Sequence, residues 1–266
     1  MPDEIQVNQP GRRINIQLNP NGVVAPAMNA VKTTLGVISR LLPTIEEGPL
    51  PDTIAVELEG LSLRLADHGD QNERRTRQKN WLLAKGFHEL ARGIRLSLEE
   101  ACLYNTTVQM REQVVRDEQH LVEILNAVKT AVNRLNFPDL LAQVNDGLQT
   151  ELMWYPQFLS FQKVRNCLEH RDGLVSQDKD VEQGVDALVL SVPKLQLFLK
   201  MGEREVELVP GMVAEEEATV LLKSGTKEIS FPVGSRISFS AQDFSQMAFG
   251  TWQMVSELAG KLPVPD

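Results

Sequence analysis

The 266-residue chain is 42% apolar and 24% charged, a balance that excludes a fibrous repeat or a disordered polyelectrolyte and suffices for a full core without staples. Its net charge of -9 excludes a non-specific grip on nucleic acid over the whole surface, so any such contact must be local. No segment has the apolar length of a signal-peptide core or a membrane span, which predicts a cytoplasmic protein with no membrane partner.

Residues 1–22 read as an N-terminal arm, with Pro10, Pro20 and the Asn21-Gly22 turn signal around a short alternating piece from Arg13 to Leu18. From Val23 to Leu42, Met28, Val31, Leu35, Ile38 and Leu42 recur at three and four, predicting an amphipathic helix that Pro43 stops. The connector from Thr44 to about Asp70 contains IAVELEGLSLRLADHGD, which fits either strand or helix. Asn72 to Tyr104 has no proline and carries a long helical stripe from Trp81 to Leu103. Gly86 and Gly93, seven apart on that stripe, predict the close approach of another helix, because each costs about 1 kcal/mol against Ala unless packing requires it.

A further helix is predicted over Val108 to Leu135, with Val114, Val115, Leu121, Leu125, Val128 and Val132 as its stripe. Pro138 and Pro156 each open a helix, the second running through Phe158, Phe161, Val164 and Leu168 to a C-cap at Gly173. Beyond Pro193 the period changes to two, at Leu195/Leu197/Leu199, Val206/Leu208, Val220/Leu222, Ile229/Phe231 and Ile237/Phe239. Turn signals at Met201-Gly202, Pro210-Gly211, Ser224-Gly225 and Gly234-Ser235 then predict four or five antiparallel strands. Ser240 with Asp243 three residues on marks the start of a last helix. The fold expectation is therefore mainly α: a helical bundle over 23–192, an antiparallel β insertion over 193–240, and a final bundle helix with a tail over 241–266.

Chemistry concentrates in FQKVRNCLEHRDG, residues 161–173. On a helix Asn166 and His170 share one face and Arg165 lies about 100° round from Asn166, so the three border a common cleft. Arginine offers a donor fork suited to phosphate, and histidine changes charge near neutral pH. The plain structural reading is a helix end at which Arg165 pairs with Glu169 and His170 caps carbonyls.

The run Arg165-Asn166-Cys167-Leu168-Glu169-His170 resembles the arginine-to-histidine motif of HEPN domains, helical bundles many of which are metal-independent ribonucleases. The continuation His170-Arg171-Asp172-Gly173, the helix WLLAKGFHELARGI and the strand-rich insert before a last helix are similar to proteins of that kind. The tyrosine that follows the histidine in one toxin branch is replaced here by Arg171-Asp172. The resemblance implies a HEPN-like bundle acting as a homodimer on RNA, with defence or stress response as its expected setting. It implies that His170 withdraws the 2′-hydroxyl proton or protonates the leaving oxygen, Arg165 stabilises the charged phosphorane and Asn166 orients one of them by hydrogen bonding, leaving a 2′,3′-cyclic phosphate end with no metal required, and no cofactor is expected. The alternative it allows is a non-catalytic module for dimerisation or partner binding.

Arg74, Arg75, Arg77 and Lys79 open a basic run on the long helix, either an RNA-facing stripe or a solvated face balanced by neighbouring acids. His88, in the same run, reads as a partly buried helix residue, and His68 and His120 carry no assigned role. Trp81, Trp154 and Trp252 fall on apolar stripes and read as core rather than base-stacking platforms. Cys102 and Cys167 stand apart from any ligand at metal spacing and read as buried thiols. No phosphate loop, dinucleotide fingerprint, nucleophile elbow or zinc ligand set occurs.

Overall fold

A computed structural model describes residues 18–67, 69–110, 118–209, 211, 212 and 217–264, with the side chains of Leu58 and Glu118 also left aside. The alternating piece before Leu18, His68, Val114, Val115 and Pro210 lie outside the described residues. The fold is mainly helical with small antiparallel sheets, and among the described residues no helix is long and apolar enough to cross a membrane.

Helix α1 spans Pro20–Glu47, opened by Asn19, whose side chain accepts from the Asn21 N–H, and by Pro20 in the first turn. Pro43 does not end it. The helix continues to Gly48, whose N–H bonds Thr44 O at 2.9 Å. Pro43 and Ser39 both lie on the solvent side, where the Ser39 carbonyl left unbonded by the proline is open to water, while Ile38 and Leu42 stay anchored in the core.

The connector is a β-hairpin, β1 (Thr53–Leu58) and β2 (Leu61–Ala66), turning at Glu59-Gly60 with Gly60 at φ 74°. Helix α2 (Gln71–Gln109) opens on a reciprocal capping box between Asp70 and Glu73. Its glycines act as the spacing predicts. A Cβ at Gly93 would lie 2.9 Å from Ala27 Cα and 2.8 Å from Ala30 Cβ on α1, and one at Gly86 would lie 2.6 Å from both Ile38 and the Phe244 ring.

Helix α3 spans Glu118–Arg134 and α4 Phe137–Asp146, the latter capped by Asn136, which accepts from the Asp139 N–H at 2.9 Å. Helix α5 spans Tyr155–Arg171, and the short α6 spans Gln177–Asp180. The sheet that follows has three strands among the described residues, β3 (Ala187–Met201), β4 (Arg204–Glu207) and β5 (Thr219–Pro232), in the order β4-β3-β5. Helix α7, Ala241–Gly260, closes the chain on the Ser240/Asp243 capping box anticipated from sequence.

Two strand assignments change. Ser224-Gly225 is not a turn: it lies inside β5, which pairs continuously with β3 from Ala187↔Pro232 to Lys200↔Thr219. Ile237 and Phe239 lie outside any strand, buried beside an isolated Leu174↔Arg236 bridge, with Ile237 N–H bonded to Gly173 O at 2.8 Å. A two-residue period records only which face is buried, and a buried loop that steps in and out of the core imitates it.

The sheet is also no separate insertion starting at 193. It begins at Ala187, and Leu188, Leu190, Val192 and Phe231 belong to the same core as Phe87, Phe158, Phe161 and Phe244. Val192 packs so closely on α7 that a Cβ at Gly250 would lie 2.4 Å from Val192 Cγ1. Trp154 is buried as expected, but Trp81 and Trp252 are 62% and 42% exposed, and Trp252 stacks on Phe249.

Candidate functional site

Phe158, Phe161, Val164 and Cys167 form the buried stripe of α5, which turns Gln162, Lys163, Arg165, Asn166, Glu169 and His170 away from the core centre. The helix ends in a left-handed turn: Asp172 has φ 52° and donates its N–H to Cys167 O, and Gly173, at φ 72°, bonds the same oxygen at 3.1 Å. Arg236 clamps this turn, donating to both the carbonyl and the carboxylate of Asp172. His170 is thus carried on a helix end whose geometry is fixed from below.

The three motif residues do not meet one another. Arg165 reaches Glu169, with Nε 3.0 Å and Nη2 2.8 Å from Oε1, the i, i+4 pair that the spacing anticipates. The same Glu169 oxygen lies 3.4 Å from His88 Nδ1 on α2. Asn166, a step round the helix, accepts from Gln162 Nε2 at 2.7 Å and faces a different neighbour, a cleft of about 220 Å³ shared with Lys163, Arg171, Lys179 and Asp180. His170 is exposed and has no bonding partner among the described residues.

His88 is the residue the sequence did not assign. Burial holds its imidazole below the ordinary histidine pKa; the Glu169 carboxylate pulls the other way, and Lys85 and Arg165 reinforce the lowering. The neutral imidazole is therefore favoured, with Nδ1 directed at Glu169 and the side chain still 20% exposed. Nothing in the spacing links position 88 to position 169. A signal existed only in part: Lys85, His88 and Arg92 fall at i, i+3 and i+7, one polar face of an otherwise apolar-striped helix.

On the far side of α5, Arg171 grips Asp180 with two donors, and the buried Asp180 also accepts from the Ser176 N–H at 2.8 Å. Burial, together with the nearby Asp180 charge, pushes the Cys167 thiol up to about 11, so it is no nucleophile at neutral pH. Among the described residues no three His, Cys, Asp or Glu side chains are grouped to hold a metal.

The basic run requires a correction, since it does not form an open stripe. Arg74 is buried and donates to Pro51 O at 3.1 Å and Asp52 at 2.8 Å. Arg75 donates to Gly48 O at 3.0 Å, Arg77 pairs with Asp67, and Lys79 pairs with Glu46 at 2.6 Å. The four cations fasten the first turns of α2 to the end of α1 and the root of the hairpin. Helical position puts basic residues on a common face without saying that a carboxylate or carbonyl waits there from a distant segment. Comparison with protein-family models, with curated proteins and with solved structures gave no match. The functional reading therefore rests on the chemistry of the site.

Proposed function

We propose that this chain is a metal-independent ribonuclease of HEPN type whose site is the α2–α5 surface around Arg165, Glu169, His88 and His170. The observation that carries the reading is the Glu169 carboxylate bridging the Arg165 guanidinium and the His88 imidazole, one residue before an exposed second imidazole. A neutral histidine oriented by a carboxylate is equipped to accept a proton, and an exposed histidine at the next position of α5 after that carboxylate is equipped to donate one. His88 Nε2 takes the 2′-hydroxyl proton as the 2′-oxygen attacks phosphorus. His170 gives a proton to the departing 5′-oxygen, and the products are a 2′,3′-cyclic phosphate and a 5′-hydroxyl. Two Arg165 N–H groups are directed at Glu169, and the remaining donors of its fork are left for the phosphorane oxygens. Asn166 supports RNA from the neighbouring cleft, where Lys179 adds a positive charge with no ion-pair partner among the described residues.

Base, acid and charge stabiliser all come from one chain in this reading, so the reaction needs no composite site. A non-catalytic partner-binding module is favoured instead by one observation, the commitment of Arg165 to Glu169 in an ordinary helix pair. Labelled RNA incubated with wild type, His88→Ala, His170→Ala and Arg165→Ala in the presence of a chelator separates the two. Cyclic-phosphate ends from wild type alone are expected. Intact RNA with wild type, or undiminished cleavage by all three variants, would make the module reading the better one.

A further inference from the structure

The cleft beside α5 draws its polar groups from two elements: Lys163, Asn166 and Arg171 from α5, and Lys179 and Asp180 from α6, with Glu182 just beyond. Both Asp180 oxygens accept from Arg171, and one of them also from the Ser176 N–H, so this buried carboxylate is fully committed. Lys163 Nζ lies 3.1 Å from Glu182, in a pair whose side chains are 53% and 80% exposed. Lys179 is exposed and has no ion-pair partner among the described residues. Asn166 accepts from Gln162 through Oδ1, which leaves both of its amide N–H groups for the cleft. Once the two ion pairs are set aside, the groups left over are donors, with one positive charge in excess. Base edges present donors and acceptors in combination and do not match such a set, whereas a phosphate, which only accepts, does. At about 220 Å³ the cleft is also smaller than the roughly 300 Å³ of pockets that enclose a whole small molecule, so it suits one group of a longer ligand.

We propose that this cleft is a phosphodiester subsite for the RNA strand on the 3′ side of the cut. The single negative charge of a diester matches the single excess cation, while the nearly double charge of a terminal phosphate would stand partly uncompensated beside Asp180 and Glu182. The direction of the strand follows from α5. Lys163, Asn166 and His170 fall at i, i+3 and i+7 on one ridge of the helix, and Arg165 and Glu169 are turned toward α2. His170 is therefore about 6 Å along the axis from Asn166, within the reach of one nucleotide. His170 serves the departing 5′-oxygen, so the phosphate held next to it belongs to the leaving fragment. This direction rests on the ribonuclease reading, but the preference for a phosphate rests on the cleft alone. The substrate class is an RNA chain that continues past the cut by at least one further phosphodiester, a contact that a dinucleotide with a single linkage lacks.

A 2′-O-methyl oligonucleotide with one unmodified ribonucleotide, and hence one cleavable linkage, tests the assignment on the full chain. Replacing the next linkage on the 3′ side by an uncharged methylphosphonate should lower kcat/KM roughly three- to tenfold, the low end for a charge-assisted contact because the cleft is open to water. Lys179→Gln should lower it by a similar factor on the unmodified strand and add nothing on the methylphosphonate strand, since both changes remove the same contact. Lys129→Gln, the same change of charge at an exposed position of α3, should behave as wild type on both strands. Binding of a fully 2′-O-methylated strand, which cannot be cut, separates this proposal from the ribonuclease reading. The slope of log K against log salt should be shallower by about 0.7 for Lys179→Gln than for wild type. If wild type cuts nothing and this slope still falls, the ribonuclease reading fails and the phosphate subsite stands. An unchanged slope, or additive losses from Lys179→Gln and the 3′ methylphosphonate, would overturn the subsite. Inorganic phosphate that displaces the strand at micromolar concentration would make the cleft a free-anion site and overturn its assignment to RNA.

Discussion

Arg74→Ala tests directly whether the basic run is an anchor or an RNA surface. The guanidinium is buried and bonds one carbonyl and one carboxylate, so removing it deletes two hydrogen bonds and leaves Pro51 O without its donor. A hydrogen bond involving a charged group contributes about 1.5–3 kcal/mol and a neutral one about 1 kcal/mol. Asp52 is 87% exposed, which screens the ionic share and brings the total to about 2 kcal/mol. For a chain of this size that is a fall in melting temperature of roughly 4–8 °C. Arg77→Ala breaks a pair whose arginine is 58% exposed and should cost under about 1 kcal/mol. Calorimetry on the two variants, beside RNA binding at low salt, provides the comparison. The expected result is a lower melting temperature for Arg74→Ala with RNA affinity unchanged. An unaltered melt with lost RNA binding would refute the anchor and restore the stripe.

The lowered His88 pKa makes stability depend on pH with a definite sign. Its neutral form is favoured in the fold, so this contribution is present above the unfolded value near 6.5 and is lost as pH falls through the lower folded value. Melting of wild type should therefore drop more steeply than that of His88→Gln between about pH 7 and pH 5, and parallel curves would show that burial of His88 costs nothing. Gly93→Ala should destabilise by about 1–3 kcal/mol because the new Cβ meets the α1 backbone, whereas Gly36→Ala, with open space around it, should stabilise by up to about 1 kcal/mol. Chemical denaturation ranks the pair, and equal midpoints would contradict the close α1–α2 contact. Cys167, buried with its thiol near 11, should resist alkylation at pH 8 until the chain unfolds, and rapid native labelling would contradict its packing.

Helices were legible from sequence wherever one stripe met one core. The capping box at Ser240, the left-handed exit near Gly173, the glycine pair of α2 and the buried stripe of α5 all follow from local rules, because backbone geometry and side-chain period act within a few residues. The Arg165–Glu169 pair is of the same kind, being a matter of helical spacing alone. Helix ends failed at Pro43, where the missing hydrogen bond faces water and the next turn still packs.

What local rules cannot supply is the partner from elsewhere in the chain. Whether an arginine on α2 faces RNA or a distant aspartate depends on where the hairpin root comes to rest, and Arg74 finds Asp52 there. Whether Arg165 and Asn166 work together depends on what packs on each side of α5: α2 brings His88 to one, and the α6 segment brings Lys179 and Asp180 to the other. The run over β1–β2 fitted either strand or helix, and only the tertiary structure makes it a hairpin whose described apolar side chains are exposed. By itself the sequence determined the helices, their caps and the residues able to do chemistry, because those depend on neighbours along the chain. The tertiary structure alone decided which of those residues meet, because electrostatic and packing contacts act across space regardless of separation in sequence.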